Sequence, residues 1–144
     1  VKGGAYGVMN SAGRSGEGYF VSYRDPNLKE TNQVFENVVK YLEEFDADER
    51  DMTKYVIGTI SDLDVPLLAP YKGSKADAAY FSHLTDEMIK KEREEILKAT
   101  KEDIRALAPV IREILSTGSF CVIGNAEKIR ENQELFGEVK NLFN

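Results

Sequence analysis

Asp25-Pro26-Asn27 divides this chain into two stretches of different character. An acidic capping candidate followed by proline in the first turn is a helix start, so whatever precedes it must be finished there. What precedes it is β-like. Gly3-Gly4-Ala5-Tyr6-Gly7-Val8-Met9 is glycine-dense yet leads into apolar residues. A turn-rich run from Asn10 to Gly18 follows, and then the aromatic, β-branched Tyr19-Phe20-Val21-Ser22-Tyr23. Two strand-like segments around a Gly/Ser loop predict a hairpin with a long connection. Glycine within the first of them marks a bulge or a close approach by another backbone or a ligand.

Beyond Asn27 the periodicity becomes helical. Leu28, Thr31, Phe35, Val38, Val39, Leu42 and Phe45 share one face, and Glu30, Glu36, Lys40 and Glu43 line the other. A second helix starts at Asp46 or Asp48 and runs to about Ile60, burying Met52, Tyr55, Val56, Ile57 and Ile60. Gly58 weakens it, since a mid-helix glycine costs about 1 kcal/mol relative to alanine. Pro66 and Pro70 hold residues 62–70 as an irregular connector. Residues 74–83 read as a short helix, Thr85 precedes a charged helix over Asp86–Lys98, and Thr100 with Asp103 makes a capping arrangement before a helix over Ile104–Leu115. Ser119–Gly124 has the composition of a buried strand, and residues 125–144 suit one or two short helical turns.

The expected order is therefore two strands, a run of helices, and a third strand returning to the same sheet. That is an α+β fold, a small antiparallel sheet with helices packed on one face. Three strands are few for so many helices, so the sheet is expected to be part of a larger α+β domain, with its missing strands before Val1. A start at Val1 rather than methionine points the same way, to residues 1–144 as a single partial domain. At this length a core burying roughly two-thirds of the unfolded surface is expected.

Composition then limits the chemistry. There are 19 Lys and Arg against 25 Asp and Glu, a net charge of −6, which argues against binding nucleic acid or an anionic membrane. No apolar run is long enough to cross a bilayer, and no leader precedes the first glycines. One cysteine rules out an internal disulfide and fits a reducing compartment, with the cytoplasm as first expectation and an organelle matrix as the alternative. A metal site needs three or four converging ligands, but His83 is the sole histidine and sits in a helix-end string, where imidazole complements the helix dipole. Cys121 falls in the apolar strand and reads as a small core residue. Asp46-Ala47-Asp48 and Asp62-Leu63-Asp64 lack the glycine and terminal glutamate of a calcium loop. Neither glycine cluster carries the lysine-plus-hydroxyl ending of a P-loop. Tyr6 remains, on a strand whose main chain Gly3 and Gly4 leave bare. It is either a packing tyrosine or a phenol that donates to a developing oxyanion.

Val1-Lys2-Gly3-Gly4-Ala5-Tyr6-Gly7 resembles the opening strand of the later part of the C-terminal domain in the presequence-protease branch of the insulinase/pitrilysin zinc peptidases. Ser22–Asn27, Tyr55–Ile60, Pro66–Gly73, Arg93–Asp103 and Cys121–Asn125 continue the likeness in order, over nearly the whole chain. The resemblance implies a peptidase of two clam-like halves, each of two related α+β domains, that degrades short unstructured peptides. This chain would be the C-terminal segment of the last domain. Zinc would be bound by an inverted His-x-x-Glu-His helix in the first domain and not here. Tyr6 would match the tyrosine of an arginine–tyrosine pair reaching the scissile peptide, whose arginine would fall just before Val1. Gly3 and Gly4 would admit an extended substrate or pack against a neighbouring strand. The partners implied are a peptide and the remaining domains of the same polypeptide, with the chain alone inactive. A catalytically silent peptide-binding or scaffolding domain of the same fold is the alternative.

Overall fold

The computed structural model of the chain describes residues 4–13 and 16–142. Contacts divide it into two compact units, one of Val1–Glu43 with Leu107–Asn144 and the other of Glu44–Ala106.

The first unit holds the sheet. Strands β1 (Gly7–Ala12) and β2 (Gly18–Tyr23) pair antiparallel, Gly7 opposite Tyr23 and Ala12 opposite Gly18. The connection is shorter than expected, because Asn10, Ser11 and Ala12 extend β1; it closes with the Gly13 N–H donating to the Glu17 carbonyl at 2.7 Å. Along β2 the alternation is regular: Tyr19, Val21 and Tyr23 are exposed, while Gly18, Phe20 and Ser22 are partly covered. The Phe20 ring lies 5.5 Å from Phe35 of helix α1 (Leu28–Glu36). A Cβ on Gly18 would fall 2.6 Å from Cδ1 of Ile114 in α7 (Ala108–Ser116), so it is this glycine that permits a close approach. Gly7, in the first strand, has nothing within 4 Å of where its Cβ would be.

Helix α2 (Val38–Glu43) follows α1 after a turn at Asn37 and packs on α7, where Arg112 pairs with Glu43. Its face is the one the spacing predicts: Leu28, Thr31, Phe35, Val38, Val39 and Leu42 are partly covered and Phe45 is buried. Asn125 caps α8 (Ala126–Glu131), its side-chain oxygen accepting from the N–H groups of Glu127 and Lys128, and a 3-10 turn over Gln133–Leu135 follows.

The expected third strand does not form. Ser119–Ile123 has no regular structure, and the sheet among the described residues is two-stranded. A strand exists only through a partner ladder, and apolar composition cannot supply one. Cys121 is accordingly exposed and not a core residue, and Ile123 is 77% exposed.

The second unit is helical: α3 (Glu49–Leu63), α4 (Ala69–Phe81), α5 (Asp86–Leu97) and α6 (Lys101–Arg105). Asp48 caps α3, accepting from the Asp51 N–H at 2.8 Å, and α5 packs alongside, with Arg93 and Asp64 2.5 Å apart. Of the residues expected to be buried on α3, Met52, Val56 and Ile60 are partly covered, but Tyr55 and Ile57 are 53% and 60% exposed. α4 begins before residue 74: Pro70 stands in its first turn, where a missing N–H costs nothing, so the irregular connector expected over 62–70 narrows to 64–68. Thr100 and Asp103 form a complete capping box on α6. That helix ends at Arg105, and α7 restarts at Ala108 with Pro109 in its first turn, dividing the single helix expected over Ile104–Leu115.

The core among the described residues is far smaller than expected. Among the described residues the buried apolar side chains are Ala5, Phe45 and Ala108, whereas Tyr80 and Phe81 are 77% and 79% exposed. Two strands cover too little area to bury the apolar stripes of the helices. No helix among the described residues is long and apolar enough to cross a membrane.

Candidate functional site

The junction between β2 and α1 organises the neighbourhood of Tyr6. Ser22 Oγ and Thr31 Oγ1 (2.6 Å) both donate to Asp25 Oδ2, and the Asn27 N–H donates to Asp25 Oδ1 at 2.9 Å. Asp25 therefore ties the last turn of β2 to the first turn of α1, while Asn27 takes the N-cap position itself. Burial pushes the Asp25 carboxyl up, but the bonds from Ser22, Thr31 and Asn27 outweigh it and hold the group below its usual range.

The segment entering β1 lies on this junction. Gly4 has φ +88, a left-handed conformation that glycine tolerates, and a Cβ there would meet Pro26 Cγ at 3.5 Å. Ala5 beside it is buried. Gly3 lies outside the described residues, so of the two glycines expected to line the site only Gly4 can be placed.

Tyr6 is next. Its N–H donates to the Tyr23 carbonyl at 3.0 Å, and its ring meets Tyr23 edge-on, with centroids 6.0 Å apart. The side chain is otherwise open: Tyr6 is 75% exposed, and its hydroxyl has no hydrogen-bond partner among the described residues. The ring thus has a packing contact while the polar tip stays available. The Arg24 guanidinium carbon lies 5.7 Å from the Tyr6 ring centroid and 5.3 Å from that of Tyr23. Arg24 has φ +49, a left-handed conformation that costs a non-glycine residue about 1 kcal/mol. Neither Tyr23 nor Arg24 is marked as a site residue by composition or spacing. The only sequence signal is their place immediately before the helix start, and the backbone conformation that aims Arg24 is not written there.

Beside Arg24 a cleft of about 620 Å³ opens within the first unit, between the β2–α1 junction and the segment from Ser119 to Ile129. Phe20, Phe35, Phe120 and Ile129 give it apolar walls, and Asn32 and Lys128 are polar groups on it.

The remaining candidates are structural. His83 closes α4 with φ +55, its N–H donating to the Tyr80 carbonyl and that of Leu84 to Ala79. Asp46 pairs with Lys101 at 2.6 Å, and Asp64 with Arg93. Among the described residues no group of three or more His, Cys, Asp or Glu side chains could hold a metal ion, so the donor set of this chain does not fit a zinc site.

A two-stranded antiparallel hairpin passing through an Asp-Pro helix start into a helical run makes this a small α+β domain. Residues 1–127 match the family model described as PreP C-terminal domain, and the chain belongs to that family. It is similar to Protein HypA of Clostridium perfringens, 49% identical over 142 residues, covering 99% of this chain and 15% of that protein. It is also similar to Presequence protease 1, chloroplastic/mitochondrial, of Arabidopsis thaliana, 34% identical over 144 residues and covering 97% of this chain and 13% of the relative. Presequence protease, mitochondrial, of Emericella nidulans is 30% identical over 133 residues, 92% of this chain and 12% of its own. The chain spans about one seventh of the length of these curated relatives.

Proposed function

We propose that residues 1–144 are the C-terminal segment of the last domain of a four-domain, zinc-dependent peptidase that degrades short unstructured peptides. In this reading the segment forms part of the chamber wall and Tyr6 contacts the scissile peptide. Zinc is held by another domain, since the residues of this chain do not fit it, and the chain alone is inactive. Its partners are the peptide and the remaining domains of the polypeptide. Its compartment is the cytoplasm, with an organelle matrix as the alternative that the names of the plant and fungal relatives favour.

The observation that carries the reading is the state of Tyr6: a ring seated against Tyr23 with a hydroxyl that is exposed and unpartnered among the described residues. As a peptide carbonyl is attacked, negative charge collects on its oxygen. A phenol placed beside that oxygen donates a hydrogen bond that strengthens with the charge, which lowers the barrier more than it tightens binding. Gly4, whose missing side chain lets the strand entry lie against Pro26, would present bare main chain beside Tyr6 to an extended peptide.

Tyr6→Phe in the full-length protein tests this. Removing one donor of this kind costs about 10²–10³ in turnover, and we expect a loss of that order in kcat on a short peptide, with the thermal unfolding midpoint unchanged. Unchanged turnover would sink the role of Tyr6.

A further inference from the structure

We propose that Arg24 is a positioning residue for Tyr6, an inference that rests on reading Tyr6 as the group that contacts the peptide. Three observations carry it. The guanidinium lies against two phenol rings at once, 5.7 Å from the centroid of Tyr6 and 5.3 Å from that of Tyr23, and those rings meet edge-on. A planar cation held over a ring face restrains the rotation of that ring, so Arg24 and Tyr23 together limit the directions in which the Tyr6 hydroxyl can point.

Its charge, moreover, is not committed elsewhere. The neighbouring Asp25 accepts from Ser22, Thr31 and Asn27, and no carboxylate pairs with Arg24 among the described residues. The backbone, finally, is held where glycine would be easier. A left-handed conformation occupied by a long cationic side chain persists when the surroundings determine it, and here they are the two tyrosines and the Asp25 turn. The guanidinium need not touch the substrate to act. It keeps the tyrosine in the orientation from which it can donate, and misplacement of a donor lowers the rate with little effect on binding.

That left-handed conformation makes the test clean, because Arg24→Gly removes the side chain at a position where glycine fits, and the turn should survive. In the full-length protein, with a short fluorogenic peptide, we expect Arg24→Gly to lower kcat about tenfold with KM little changed. Arg24→Lys, which keeps a cation without the planar fork, should restore part of the loss. Made on top of Tyr6→Phe, Arg24→Gly should cost nothing more, because no hydroxyl is left to orient. A loss of equal size in both backgrounds overturns the proposal, as does unchanged kcat in Arg24→Gly when Tyr6→Phe is impaired. Unchanged kcat in Tyr6→Phe would instead remove the reading of Tyr6, and the role of Arg24 with it.

Discussion

His83 and Gly118 occupy equivalent places, one residue past the C-cap of a helix in the left-handed conformation, at φ +55 and +65. Glycine is the expected occupant, because a Cβ there crowds the following carbonyl. Among the described residues the imidazole makes no hydrogen bond of its own, and the two backbone bonds that close α4 do not involve it. His83→Gly should therefore raise stability by about 1 kcal/mol, visible as a higher thermal midpoint; a lower one would show that the imidazole supports something beyond the turn. Asp25 is the opposite case, a side chain that the backbone cannot replace. Asp25→Asn leaves one acceptor oxygen for three donors and should cost about 1–2 kcal/mol. Its folded pKa is depressed, so the stability it contributes is present above its ordinary value of 3.8 and is lost as pH falls through the lower folded value. Urea unfolding of the native and Asp25→Asn proteins should differ most near neutral pH and converge in acid; a constant gap would contradict this.

Helix α3 runs through Gly58 without a break, and a Cβ there would meet nothing within 4 Å. Gly58→Ala should then stabilise the protein by about 1 kcal/mol, measurable by denaturant unfolding; a loss would mean that this face is covered in the complete protein. Features of this size are legible in sequence because they are local. The shared face of Leu28 to Phe45 and the caps at Asp48, Thr85 and Thr100 each depend on residues a few positions apart. Pro70 opens α4 although it reads as part of the connector, because proline both ends and begins helices and the register around it decides which. Ser119–Ile123 reads as a strand by composition and forms none, since strand character depends on a partner elsewhere.

At the scale of the molecule, the apolar face running from Leu28 to Phe45 lies where its spacing places it, whereas on α3 the expected Tyr55 and Ile57 are exposed. The helices carry their stripes, yet Tyr41, Tyr71, Tyr80 and Phe81 remain well exposed. Amphipathic spacing specifies which face seeks cover and says nothing about what supplies it. The candidate site divides in the same way. Tyr6 and Gly4 were marked by a bare, glycine-flanked strand entry and by family likeness. Arg24 and Tyr23 join them only through a hairpin register and one left-handed residue, which are properties of the folded chain.

A sheet of two strands has no middle. β1 and β2 each keep an outer row of main-chain groups outside their shared ladder, and neither GVMNSA nor GYFVSY contains a charge or a proline. Those are the residues by which natural sheets discourage further strands from adding on. Such a hairpin offers both of its edges as templates for a further strand, so anything that covers them also protects the chain against pairing with its own copies.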